Sequence, residues 1–394
     1  MSTSVKHIHS GMRGAPTING VVGAGIIPAL DTLFNTGWGV TTAIAVSVAS
    51  GIATATLTSG ETFDRDAVVL IAGATPGDLN GEARVLTTSL TSITWATTAA
   101  DGVATGTITI KYAPQTDWVK VYAGTNKAAY RSNHVQSRGR YLRIDDTGTT
   151  TARVRGYESM TDVDTGTGPF PTDAQMSGGG HWHKSVFANA TAVKYRIFCD
   201  ERFVLIEIAA GYSGGVNNIG AVARGFGDPI ELSPSGDAWA TLLSFNGVNA
   251  TFVGRASFAD ASDSSADGQT VFPRALVGLG GSVQGVTAPF TGSGVSGGVA
   301  TLGVAPSAVD GQIKTSRVFV RETGANLPPR AVVPGVLFIP QSGAYGLLQD
   351  GDRLDGSGDL AGRRLMVVAS HGASTNYNGT PTACHLVDIT GPWR

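Results

Sequence analysis

With 394 residues and a formal net charge of −2, the chain has no global electrostatic footprint for nucleic acid, because such binders concentrate Lys and Arg against phosphates. Charged residues make up only 15% of it and glycine fills 54 positions, against about 25% and about 7% in ordinary globular chains. Glycine weakens helix and strand interiors, so the composition points to turn-rich β structure whose sparsely charged surface is partly covered by neighbours, and the length favours two or three domains.

In chain order, the segment Met1 to Gly20 carries Lys6, His7, His9 and Arg13 but no apolar run of signal-peptide length. No stretch approaches the ~20 apolar residues that cross a bilayer. The expectation is a chain that folds in the cytoplasm of whatever cell makes it, with no membrane span. Residues 26–35 read as a helix: Ile26, Ile27, Leu30, Leu33 and Phe34 recur at helical spacing, Pro28 suits the first turn and Gly37 follows as a stop. The preceding Val21-Val22-Gly23-Ala24-Gly25 opens a GxG, but Pro28 replaces the third glycine of a dinucleotide fingerprint, so it reads as a flexible lead into the helix.

From 43 to 111 the chain changes character. Ala45–Val48, Ile52–Leu57, Val68–Ile71, Ala83–Leu86, Ser92–Trp95 and Gly106–Ile110 are short β-branched runs separated by turn signals such as Pro76-Gly77-Asp78 and Asn80-Gly81. They predict a small β-sandwich or barrel module inserted into a discontinuous β-rich body formed by 1–42 and 112–245. Alternating runs at Trp118–Tyr122, Tyr141–Asp146, Thr151–Tyr157, Lys194–Phe198 and Phe203–Ile208 supply half-buried antiparallel strands for that body. Residues 237–245 read as a second helix with Ala238, Leu242 and Phe245 on one face. Residues 246–315, rich in Gly and Ser, predict long loops or hairpins of the kind that are functional or ordered by a partner. Residues 316–394 return to strands and predict a C-terminal β domain. The fold class is therefore mainly β, a multidomain β-sandwich or barrel architecture with a few short helices.

Four stretches could carry chemistry. His181-Trp182-His183 sets two imidazoles on one strand face, but no third ligand stands nearby, and an aromatic corner is the simpler use. Asp162-Val163-Asp164-Thr165-Gly166-Thr167-Gly168 begins like a calcium loop yet has Gly166 at the third ligand position, so local Asx turns are expected. Asp350-Gly351-Asp352 and Asp355-Gly356-Ser357-Gly358-Asp359 read as hairpin turns. Cys199 and Cys384 are far apart and read as buried thiols. There is no GxSxG elbow. No catalytic residue, metal or cofactor is assigned, and the chain is expected not to be an enzyme.

Three blocks carry a resemblance. Tyr141–Asp146 with Ala152–Glu158 and Asp162–Pro171 resembles a block of virion proteins from tailed bacteriophages and prophages. Val68–Ala74 with Leu79–Glu82 is similar to small Ig-like modules of phage structural proteins, and Asp388–Arg394 is similar to their closing segment. Together they cover roughly half the chain. The resemblance implies a virion structural protein associated with the tail or baseplate, whose partners are copies of itself and other virion proteins. The alternatives are a capsid or head-to-tail decoration protein, and a receptor-binding protein for a host cell surface or glycan. Because Trp and Arg dominate interface hot spots, Trp38, Trp118, Arg153, Arg155, Trp182, Trp239, Trp393 and Arg394 are the candidate contact residues.

Overall fold

The structure, a computed structural model, describes residues 2–211, 222–234, 236–247, 269–289, 303–324, 327–370 and 383–394. Among these the chain is mainly β, and its strands form four sheets in which every strand pairing is antiparallel. None of the helices is long and apolar enough to cross a membrane.

Residues 38–112 build two of the sheets. One orders Trp38–Thr42, Thr109–Tyr112, Val68–Ala72 and Gly81–Arg84, and the other Thr87–Thr88, Ser92–Ala96, Ile52–Thr56, Ala45–Ala49 and Gly102–Val103. Burial alternates along the second sheet, with Val46, Val48, Ala53, Ala55, Ile93 and Trp95 turned inward. These residues join Val69, Ile71 and Ile110 of the first sheet in one apolar core that continues to Trp118 and Phe226.

The third sheet runs Trp118–Gly124, Lys127–Ser132, Tyr141–Asp145, Thr151–Met160 and Gly166–Phe170, with Gly180–His183 paired to the first residues of Thr151–Met160 on the edge that Gly166–Phe170 continues. Helix Ile26–Asp31, extended by a π-turn over Thr32–Thr36, places Phe34 against Trp118 at 5.1 Å and Tyr130 at 5.6 Å. Gly156 is required here. A Cβ built on it would lie 2.2 Å from the Phe170 ring, which covers the strand at that point. Overpacking of a filled core typically costs about 1–3 kcal/mol, so Gly156→Ala is expected to lower the unfolding free energy by that amount in urea titration.

The fourth sheet has thirteen strands. It runs from Lys6–His9 through Lys194–Cys199, Phe203–Ala209, Val222–Gly227, Leu242–Phe245, Gln269–Phe272, Val283–Pro289, Ser316–Glu322, Ala331–Phe338, Ala383–Asp388 and Arg364–Ser370 to Arg353–Asp355, with Ile230–Glu231 paired to Ala331–Phe338. It curls so that Phe198, Phe203 and Leu205 from its first strands share a core with Val336, Phe338, Met366 and Val387 from its last. The sheet thus crosses the boundary expected near 315, because Val283–Pro289 pairs directly with Ser316–Glu322.

Two local expectations are corrected. Residues 242–245 are a strand paired on both sides, not the end of a helix, and Asp237–Ala240 is a turn. Val21–Gly25 is pinned rather than loose: Gly23 N–H donates to Asp146 O, Ala24 N–H to Val21 O, and the Lys184 ammonium to Val21 O. Asp162 behaves as expected, its Oδ1 accepting from Asp164 N–H at 2.7 Å. Asp355–Asp359 lies in the turn between Arg353–Asp355 and Arg364–Ser370. Cys199 and Cys384 are both buried free thiols, and burial pushes the Cys384 thiol up to about 12.

Candidate interaction surface

Of the eight candidate contact residues, four tryptophans are removed from the surface by burial. Trp118, Trp182 and Trp393 bury their rings and donate Nε1–H to Asp200 O, Ser244 O and Asp388 O respectively, and Trp38 stacks on Tyr112 at 4.8 Å. With so little exposure they have no area to give a partner and act as core residues. The arginines are also committed internally. Arg155 is buried and paired with Asp173 at 2.5 Å, Arg394 is paired with Asp200 at 2.9 Å, and Arg153 donates to Ser177 O, Gly178 O and the His181 ring.

Trp239 remains, half-buried in a surface built from two loops. Two guanidinium groups lie over its ring, Arg274 at 4.2 Å and Arg140 at 4.7 Å from the centroid. Glu158 holds Arg274 in a two-pronged pair at 2.7 and 2.9 Å. The second loop, residues 273–282, joins the hairpin strands Gln269–Phe272 and Val283–Pro289. Gly278 adopts φ +77°, and a Cβ there would sit 2.7 Å from Trp239 Nε1, so only glycine lets the backbone close on the indole edge. The loop then turns Leu276, Val277 and Leu279 outward with 45%, 75% and 73% of their surface exposed.

One buried residue orders both loops. Arg330 donates to Asp237 at 2.5 and 3.0 Å, to Glu322 at 2.8 Å and to the Arg274 carbonyl at 2.8 Å, and lies 4.1 Å over the Phe272 ring. Asp237 in turn accepts from Trp239 N–H, and Glu322 from Leu276 N–H at 2.7 Å. Three adjacent large apolar side chains are therefore held exposed on an ordered loop beside an arginine-flanked tryptophan. Large exposed apolar groups of this kind mark interaction sites. Sequence reasoning singled out Trp239 and the Gly- and Ser-rich stretch 246–315 as a whole but not Leu276, Val277 or Arg330, which carry no local pattern. Residues 248–268 and 290–302 of that stretch lie outside the described residues.

The His181-Trp182-His183 triplet forms the inner edge of the third sheet, and both histidines are buried. Arg153 donates to His181 Nε2, so the ring proton sits on Nδ1. Burial, then the nearby Arg153 charge, lowers His181 to about 4, and burial with Arg224 and His181 lowers His183 to about 3. No group of three potential metal ligands occurs among the described residues. The pH consequence has a definite sign. A histidine depressed in the fold binds fewer protons there than in the unfolded chain, whose imidazoles titrate near 6.5, so this contribution is complete above about pH 6.5 and is lost as pH falls toward 4 and 3. Replacing His183 with glutamine is expected to flatten the decline in urea midpoint between pH 7 and pH 4.5 relative to the parent chain.

No protein-family profile matches the chain, and no curated protein matches it. Among solved structures it is similar to phage phi92 endosialidase at 11% identity and a TM-score of 0.16, over 89% of this chain and 52% of that one. The chain thus spans about half the length of that structure, and a superposition at this level establishes no shared fold.

Proposed function

We propose that this chain is a structural component of a tailed-phage particle, associated with the tail or baseplate, that works through contacts with its own copies and with other virion proteins. The observation that carries the reading is the ordered loop presenting Leu276, Val277 and Leu279 to solvent beside Trp239. A loop fixed by the buried Arg330 while its apolar tips stay bare is suited to insertion into a neighbour, because the ordering cost of binding is already met in the free chain. The resemblance of Tyr141–Asp146 and Asp162–Pro171 to phage virion proteins and the 15% charged content support the same reading, since interface cores are depleted in charge.

The test is the double substitution Val277→Asp/Leu279→Asp introduced into the phage. Both positions are exposed and far from the core, so stability is expected to change by no more than about 0.5 kcal/mol, while the amount of the chain recovered in purified particles falls at least tenfold. Unchanged incorporation of a folded double variant would refute this role for the loop.

A further inference from the structure

An amine and a carboxyl group are sealed together inside the third sheet, and nothing in the assembly reading uses them. Lys184 and Asp146 are both 0% exposed, with Nζ 2.6 Å from Oδ1. At that distance an ordinary ion pair forms an aligned, charge-assisted hydrogen bond. Here neither Asp146 oxygen has a hydrogen-bond partner, and Lys184 Nζ donates instead to Val21 O at 3.0 Å. Gly25 closes the chamber. A Cβ at that position would lie 2.7 Å from Lys184 Cδ and 3.1 Å from Asp146 Oδ2, so bare backbone covers both partners.

The sheet explains how the two meet. Asp146 follows the strand Tyr141–Asp145 and Lys184 follows Gly180–His183, and these strands flank Thr151–Met160 on opposite sides: Arg153 faces Asp145 on one and His181 on the other. Strands two apart in a sheet are about 9–10 Å from each other, a gap that the four-carbon lysine stem spans. Burying two charges is costly even when they pair, and burial pushes the Asp146 carboxyl above its ordinary range. Condensation to an amide removes both charges at once. Well-oriented groups held in contact react with effective concentrations of roughly 10⁵–10⁸ M, and a chamber that excludes water opposes hydrolysis of the product.

We infer that Lys184 and Asp146 condense after folding into an isopeptide bond, a covalent staple across the strand Thr151–Met160. A proton first passes from Nζ to a carboxyl oxygen. The freed nitrogen lone pair attacks Cγ and the C–N bond forms. A second Nζ proton joins the hydroxyl oxygen, the C–O bond breaks and one water leaves. Nζ keeps its third proton as an amide N–H beside Val21 O, and nothing is oxidised or reduced. The pair is ionic in the newly folded chain and becomes an amide with time, so the energetics of the ion pair belong to chains whose mass still includes that water. The inference is independent of the assembly role.

The purified full chain is held folded at neutral pH for several days, and its intact mass is then measured under denaturing conditions. It is expected to be lighter than its sequence by one water. Trypsin is expected to release a branched peptide that joins residues 144–153 to residues 156–194, because an acylated Lys184 is no longer cleaved. Lys184→Arg keeps the positive charge but removes the nucleophilic amine, and is expected to retain the full mass. Should that variant fail to fold, the peptide map of the parent decides alone. A parent chain that keeps its full mass would overturn the inference. So would a water loss that maps to a linear peptide, as from cyclisation at Asp350-Gly351 or Asp355-Gly356, or an equal loss in folded Lys184→Arg.

Discussion

Replacing Lys184 with methionine is expected to lower the unfolding free energy by about 3–5 kcal/mol, the usual cost of stranding a buried charge. Lys184 and Asp146 are both 0% exposed, with Nζ 2.6 Å from Oδ1. Burial raises the Asp146 carboxyl above its ordinary range and Lys184 pulls it back. The pair sits below the Val21–Gly25 turn that leads into helix Ile26–Asp31, with Lys184 bonded to Val21 O and the Asp146 carbonyl to Gly23 N–H. Without the lysine the carboxyl rises further, so the folded state holds a proton that the unfolded chain has released. The deficit of the variant therefore shrinks as pH falls toward the ordinary carboxylate range. The double variant Lys184→Met/Asp146→Leu is expected to recover most of the loss, since buried pairs are often replaceable by apolar groups of similar volume. Urea unfolding of the parent, both single variants and the double variant measures the coupling.

The second large effect is expected at Arg84. This residue ends the strand Gly81–Arg84 and is buried, and burial lowers its guanidinium to about 10, which leaves it charged at neutral pH. It donates to Ser2 O at 2.9 and 2.7 Å, Asp66 O at 2.5 Å, Ile389 O at 2.9 Å, Thr390 O at 3.2 Å and Val5 O at 3.3 Å. One side chain thus ties residues 2–5, the 38–112 sheets and the 389–390 segment together. Arg84→Met leaves several carbonyls without a donor at about 1–3 kcal/mol for each one that water cannot reach, for an expected total of ~4 kcal/mol or more. Arg84→Lys is not expected to restore it, because a compact ammonium cannot span the positions that the planar fork reaches. Thermal unfolding gives the magnitude. Limited proteolysis gives the mechanism: cleavage near both chain ends is expected to come before cleavage within residues 118–183.

The mainly β class was legible because alternation survives into burial: Val46 and Val48, Ala53 and Ala55, Ile93 and Trp95 all turn inward as their spacing requires. The helix at Ile26 was legible for the same reason at a different period. Residues 237–245 misled because Ala238, Leu242 and Phe245 fit a helical face, while the Leu242–Phe245 backbone found partners on two sides in the large sheet. Short apolar runs do not distinguish these outcomes, and tertiary pairing decides. Val21–Gly25 misled because its restraints come from Asp146 and Lys184, over a hundred residues away.

The candidate surface was legible in part for a related reason. Residue type alone made five of the six tryptophans and three arginines contact candidates, yet Trp118, Trp182 and Trp393 each have an internal carbonyl for the indole N–H and settle in the core. Trp239 stays near the surface because Arg140 and Arg274 cover its ring with charge that prefers water. The exposure of Leu276 and Val277 depends on Arg330 and Glu322 holding their loop, a relation between distant residues that no local pattern encodes.

A cryo-EM reconstruction of the intact particle tests the structural role most directly. The chain is expected in the tail or baseplate at a fixed copy number, with residues 273–282 in contact with an adjacent subunit and Leu276, Val277 and Leu279 covered. A particle that lacks the chain, or one in which this loop projects bare into solvent on every copy, would contradict the account.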